Sequence, residues 1–117
     1  MQDLYPPNVK KAVDALLTSP AVCTPTLRQA VEAYAARLSG GAGEAVEIPA
    51  DLVEYVRKVA LYAYQTTDED IQRLQEAGYS EDAILEITLC ASMGAGLARL
   101  ERGLTVLKEA GHAPADS

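Results

Sequence analysis

The chain has 117 residues, with 17 acidic against 10 basic side chains and a formal net charge of -7. This length fits one domain, and an apolar share of 49% is typical of a soluble globular protein rather than of a disordered chain. The acidic balance and the lack of clustered Lys and Arg side chains argue against phosphate contacts, so we expect no nucleic-acid partner.

The cysteine and histidine content argues against a metal site. Cys23 and Cys90 are the only cysteines, and His112 is the only histidine. A zinc site would therefore need mostly carboxylate ligands, which is unusual for zinc, so we predict no metal and no cofactor. We expect Cys23 to be the more exposed thiol and Cys90 to be buried within a helix, where burial raises a thiol pKa.

Apolar residues recur at helical spacing along the chain, which predicts an all-α single domain of about five helices over residues 1–117. An extended arm is expected at 1–7 and a flexible tail at 112–117. The first helix should run from about Asn8 to Thr18, because Ser19-Pro20 follows it. The second should start at the cap Thr24 with Pro25 at its first position and end near Leu38, before a glycine-rich loop at 39–47.

Three further helices are predicted after the loop. The third opens at Ile48-Pro49 and should end near Gln65, with Glu54 and Lys58 paired one turn apart on its outer face. The fourth starts at the cap Thr67 and ends at Gly78. The fifth is the longest, from the cap Ser80 to about Ala110.

The fifth helix contains a chargeless segment from Ile87 to Ala98. A helix that is apolar all round is buried on most sides, and twelve residues are too few to span a bilayer. We expect no membrane partner and, because no signal peptide precedes the first helix, a cytoplasmic protein. The small residues of this chargeless segment predict close packing against another helix or subunit, with a backbone surface for a ligand as the alternative: Ala91, Gly94, Ala95 and Gly96.

Acidic side chains are concentrated in residues 41–90, which hold eleven acids and three bases. One interpretation is a set of acidic first turns that offset helix dipoles along a solvated face. The other is a carboxylate site for a cation or a basic partner.

The segment from Ile48 to Leu104 resembles the helical domain of the carboxymuconolactone decarboxylase and AhpD-like family. The resemblance rests on a helix, a junction, a helix ending in Ala77-Gly78, a capped turn at Ser80 and a long helix rich in small residues. It implies an AhpD-like, oligomer-forming bundle, and we expect a homotrimer or hexamer.

The chain departs from this family at the positions that carry its chemistry. The redox members hold a C-x-x-C-x-x-x-H motif, whose positions fall at Ala63, Thr66 and Asp70 here. Neither Ala63 nor Thr66 can supply a thiolate. We therefore predict no thiol peroxidase activity.

Asp70 also has two interpretations. It could act as a general base in a cofactor-free enzyme on a small acid or lactone, with Tyr62 or Tyr64 as proton donor and Tyr55 nearby. It also fits the third helical position of a capping box begun by Thr67, which is the interpretation we favour. The first hypothesis for function is a non-redox small-molecule-binding or structural oligomer, which holds a small apolar or anionic molecule between helices three and five. The acid/base enzyme is the alternative.

Overall fold

The computed structural model describes residues 7–18, 21–41 and 43–111. All regular structure in these ranges is helical, which confirms the predicted all-α class. The arm residues 1–6 and the tail 112–117 lie outside the described residues, and Pro7, which we assigned to the arm, begins the first helix. The elements are α1 (Pro7–Thr18), α2 (Pro25–Leu38), α3 (Ala50–Tyr62), a 3-10 turn (Ala63–Gln65), α4 (Asp68–Glu76) and α5 (Glu81–Gly111).

The predicted helix starts are confirmed where a side-chain cap defines them. The Thr24 hydroxyl accepts a hydrogen bond from the Leu27 N–H at 3.1 Å, and Pro25 occupies the first turn. Thr67 begins a capping box at α4. Gly78 has a φ of 106°, a left-handed conformation that favours glycine and ends α4 as predicted.

The core lies mainly between α2 and α5, which approach each other closely at Gly94. A Cβ added at Gly94 would lie 3.2 Å from Glu32 Cα and would overlap the Glu32 carbonyl oxygen. Glycine at this point therefore allows the two backbones to touch. Val31 and Ala35 of α2 are fully buried on the facing side.

Helix α3 covers a second side of α5. Its buried face consists of Leu52, Tyr55, Val56, Val59 and Ala60. The Tyr55 hydroxyl is 2.7 Å from Thr88 Oγ1, so the polar tip of this buried ring is hydrogen-bonded to α5. Arg99 of α5 in turn donates to the Ala60 carbonyl oxygen at 2.5 Å.

Helix α5 is buried along one side only. By length and composition alone it could cross a membrane, since an 18-residue window has a mean hydropathy of 1.4, and 44% of that window is buried inside the protein. Core helices of soluble proteins have the same character. Within the chargeless segment, Cys90 and Ala91 are buried, whereas Leu89, Ser92 and Gly96 are exposed.

Candidate functional site

Asp70 lies at the start of α4 and holds it against α3. Its Oδ2 accepts a hydrogen bond from the Thr67 N–H at 2.9 Å, while the Asp70 N–H donates to Thr67 Oγ1 at 3.4 Å. The Lys58 ammonium donates to Oδ1 at 2.9 Å and to Oδ2 at 3.2 Å. Both carboxylate oxygens therefore already accept hydrogen bonds, and the side chain is 5% exposed.

The Lys58 contact sets the protonation state of Asp70. The hydrogen bond from Lys58 is the main cause that lowers the Asp70 pKa below its ordinary value, with the Thr67 N–H adding to it and burial opposing both. Lys58 was expected to pair with Glu54; instead it binds Asp70, because α4 places a buried carboxylate closer to it. A carboxylate with a lowered pKa is a poor general base.

Ala63 and Thr66, which the resemblance aligns with the two cysteines of the C-x-x-C-x-x-x-H motif, form part of the turn between α3 and α4. Ala63 begins the 3-10 turn and is exposed. Its carbonyl oxygen accepts from the Thr66 N–H at 3.1 Å and from Thr66 Oγ1 at 2.8 Å. The Thr66 hydroxyl thus stabilises the turn between α3 and α4.

The tyrosines do not form one wall beside Asp70. Tyr62 is 41% and Tyr64 82% exposed, and their rings meet edge to face with centroids 6.5 Å apart. Only Tyr55 lines the small cleft next to Asp70, which has a volume of about 300 Å³. The structure therefore does not bring Tyr62 and Tyr64 into a common pocket with Asp70.

Cys23 is buried, contrary to our expectation that it would be the more exposed thiol. Its N–H donates to Glu86 Oε1 at 2.8 Å, and the Val22 N–H donates to Glu86 Oε2 at 3.0 Å. Glu86 thereby holds the segment before α2 against α5. Burial and the neighbouring Glu86 carboxylate raise the pKa of the Cys23 thiol to about 11.

Cys90 is buried in the middle of α5, as the sequence predicted. Burial is the main cause that raises its pKa to about 11, with the nearby Arg28 acting in the opposite direction. At neutral pH both cysteines are therefore neutral, buried thiols, whereas a nucleophilic cysteine needs an ionised and accessible thiol.

Arg28 is a buried side chain that the sequence did not single out. Its Nε donates to the Cys23 carbonyl oxygen at 3.2 Å, and its Nη1 donates to the Leu16 carbonyl oxygen at 2.5 Å. These bonds connect the end of α1 to the segment that precedes α2. The sequence around Arg28 does not distinguish a buried arginine from an exposed one.

Tyr79 and Asp51 form a polar contact between the α4–α5 junction and α3. The Tyr79 hydroxyl donates to Asp51 Oδ1 at 2.7 Å. Burial is the main cause that raises the Tyr79 pKa to about 12, and the Asp51 carboxylate adds to it. This contact fixes the α4–α5 junction onto the first turn of α3.

The larger cleft lies between α1, α2, α5 and the glycine-rich loop, and has a volume of about 550 Å³. We expected a ligand between the third and fifth helices, but those helices pack directly on each other through Tyr55 and Thr88. Apolar residues and glycines make up much of the lining of the larger cleft: Val13, Leu17, Ala33, Ala36, Gly41, Gly43, Val46, Gly94, Leu97 and Ala98.

Charged side chains surround this apolar lining, with acids in excess. Among the described residues that line the cleft, two are basic, Lys10 and Arg37, and four are acidic: Asp14, Glu32, Glu44 and Glu101. Burial raises the pKa of Glu32 above its ordinary value, and the nearby Glu101 carboxylate adds to the effect. The electrostatics of the cleft therefore favour a cation over an anion.

The described residues contain no group of three His, Cys, Asp or Glu side chains placed to hold a metal ion. Comparison with family models, with curated proteins and with solved structures finds no significant match to this chain.

Proposed function

We propose that this chain is a divergent AhpD-like helical protein without thiol redox chemistry, and that it binds a small apolar molecule bearing a cationic amine. The ligand occupies the cleft between α1, α2 and α5. The observation that carries the proposal is this cleft of about 550 Å³, which has an apolar lining and an excess of carboxylates. Its volume falls within the range of about 300–1,000 Å³ that is usual for ligand sites.

Glu32 is the group that we expect to recognise the amine. It is half-buried, its pKa is raised by desolvation and by Glu101, and it lines the cleft. A bound cation between these carboxylates would offset their repulsion and form charge-assisted hydrogen bonds. The apolar part of the ligand would contact Ala33, Ala36 and Leu97.

The absence of redox chemistry in this proposal follows from three side chains. Ala63 and Thr66 have no thiol, and the Asp70 carboxylate is engaged by Lys58 and Thr67. The alternative enzyme, with Asp70 as general base, has weaker support for the same reason: the lowered Asp70 pKa leaves little driving force for proton abstraction.

Calorimetric titration with hexylamine and with hexanoate tests the proposal, because the two probes share a chain and differ in charge. We expect saturable binding of hexylamine only. The Glu32→Gln variant should bind hexylamine at least about tenfold more weakly, the loss expected for one charge-assisted hydrogen bond. Equal binding of hexanoate, or no binding of hexylamine, would contradict the proposal.

A matched pair of variants locates the binding site. Ala33→Leu adds bulk inside the large cleft and should abolish hexylamine binding. Ala77→Leu makes the same change in the small cleft beside Asp70 and should leave binding unchanged. The reverse pattern would place the ligand next to Asp70 and favour the enzyme hypothesis.

A further inference from the structure

One side of α5 is exposed and unusually apolar along most of its length. We define the outer face of α5 as the exposed residues Leu85, Leu89, Ser92, Gly96, Leu100, Gly103 and Leu107. Its four leucines are exposed by 56, 46, 46 and 69% in chain order. A contiguous apolar surface of this kind on a small protein marks an interaction site.

The spacing of the outer-face residues along the sequence matches the period of a straight helix. Successive members are separated by four, three and four residues, and this pattern occurs once on each side of Gly96. Such an eleven-residue repeat has about 3.67 residues per turn, close to the 3.6 of a straight helix. The face therefore remains on one side of α5 over about 33 Å, at 1.5 Å per residue.

We propose that this outer face pairs with the same face of a second copy of the chain, antiparallel, about a two-fold axis at Gly96. This inference is independent of the proposed ligand cleft, which lies on the opposite side of α5. The spacing is symmetric about Gly96, so each exposed position meets another exposed position of the copy. The interface is isologous, as a two-fold dimer requires.

In this register the central side chains of the face are complementary in size, and at each end Leu85 meets Leu107 of the second copy. Leu89 meets Gly103 of the second copy, and Leu100 meets Ser92 of the second copy. Gly96 meets its own equivalent on the axis. A Cβ added at Gly96 or Gly103 has no neighbour within 4 Å in the described chain, so neither glycine is explained by packing within one subunit.

The charges on α5 also favour the antiparallel arrangement. Its first turn carries Glu81 and Asp82, and its last turn carries Lys108 and Glu109, of which Glu109 lies farther round the helix from the outer face. Antiparallel pairing brings the acidic start of one helix beside Lys108 of the other and places the two helix dipoles head to tail. Parallel pairing would bring the acidic first turns of the two copies together.

Sedimentation equilibrium of the full chain tests whether it forms a dimer. We expect a mass of about 25 kDa, twice the 12.4 kDa of one chain. Leu89→Glu should return the protein to the monomer mass. Tyr64→Glu places the same charge at an exposed aromatic residue on the 3-10 turn and should leave the dimer intact.

Cysteine cross-linking separates the antiparallel register from other assemblies and needs no disruptive variant. Gly96→Cys should form an intermolecular disulfide with oxidised glutathione, because small residues at a helix crossing bring Cα atoms within about 4–5 Å. Gly103→Cys should not, because in this register it faces Leu89. The wild type, with both thiols buried, controls for background.

Several results would overturn the pairing. A wild-type mass of 12.4 kDa at all concentrations would do so. Equal self-cross-linking of Gly103→Cys and Gly96→Cys would show a parallel assembly instead, including the trimer that the sequence led us to expect. A monomer that floats with phosphatidylcholine vesicles would assign the outer face of α5 to a membrane.

Discussion

The Lys58 ammonium bridges the two carboxylate oxygens of Asp70, at 2.9 and 3.2 Å, and so connects the middle of α3 to the first turn of α4. The same carboxylate closes the capping box with Thr67. Asp70 is therefore bound by Lys58 of α3 and by the Thr67 cap of α4. Its position is the one that the resemblance noted in the sequence aligns with the histidine of the C-x-x-C-x-x-x-H motif. A structural role for Asp70 predicts that its removal lowers the stability of the fold, whereas a catalytic role predicts a loss of activity.

Asp70→Ala should lower the free energy of unfolding by about 2 kcal/mol, because it removes hydrogen bonds to a charged group and leaves Lys58 without this partner. Urea unfolding at neutral pH measures the change. Glu69→Ala is the matched control, since Glu69 is exposed in the same first turn and contributes only about 0.3–1 kcal/mol through the helix dipole. Similar losses for the two variants would refute the structural role.

Gly94→Ala should destabilise the protein by about 1–3 kcal/mol, because the added Cβ overlaps the Glu32 carbonyl oxygen and must separate α2 from α5. Gly111→Ala is the control on the same helix, because Gly111 lies outside the proposed dimer interface. With no atom within 4 Å of its added Cβ, it should leave the free energy of unfolding unchanged or raise it by less than about 1 kcal/mol through helix propensity. Thermal and urea unfolding of both variants at one protein concentration provide the comparison.

Neither cysteine should react with a thiol-specific disulfide reagent in the native protein, because both thiols are buried and their pKa values are raised to about 11. Both should react after unfolding in urea. Peroxide consumption should stay at the buffer level for the wild type and for Cys23→Ala. Rapid labelling of either native thiol, with peroxide turnover lost on alkylation, would restore the redox hypothesis.

Acid should destabilise the fold through Asp70 and Glu86, whose pKa values are both lowered in the folded state. For Asp70 the cause is the Lys58 hydrogen bond. For Glu86, burial acts to raise the pKa, but the N–H groups of Cys23 and Val22 outweigh it. Stability from such groups is present above their unfolded pKa values of about 4 and is lost as pH falls through the folded ones.

Urea unfolding at several pH values between 7 and 2.5 measures this loss. Glu86→Gln should be less stable than the wild type at pH 7, and the difference should shrink as the wild-type carboxylate is protonated. Gln72→Ala, at an exposed uncharged position on α4 away from the outer face of α5, should show a difference that does not vary with pH. A pH-independent effect of Glu86→Gln would contradict the assignment.

The parts of the fold that the sequence predicted are those with local causes. Thr24 and Thr67 are capping side chains with a proline or an acidic turn directly after them, and Gly78 ends α4 through its own backbone conformation. Each signal lies within about one helical turn of the structure that it determines. Helix starts and ends of this kind can therefore be predicted from the sequence.

The features that the sequence did not reveal depend on distant parts of the chain. The contact between Cys23 and Glu86 joins residues 63 positions apart, so the burial of Cys23 could not be inferred from its neighbours. Lys58 had Glu54 one turn away, but the carboxylate it binds is on another helix. The large cleft likewise forms only when α1 and the loop pack against α5.

The most direct test of the central claim, a cationic-ligand cleft in a protein without redox chemistry, is a two-dimensional amide NMR titration with hexylamine. The account predicts saturable shifts centred on Ala33, Ala36 and Leu97, with none at Asp70, and their loss in Glu32→Gln. Shifts centred on Asp70 and Arg73, or no saturable shifts at all, would contradict it.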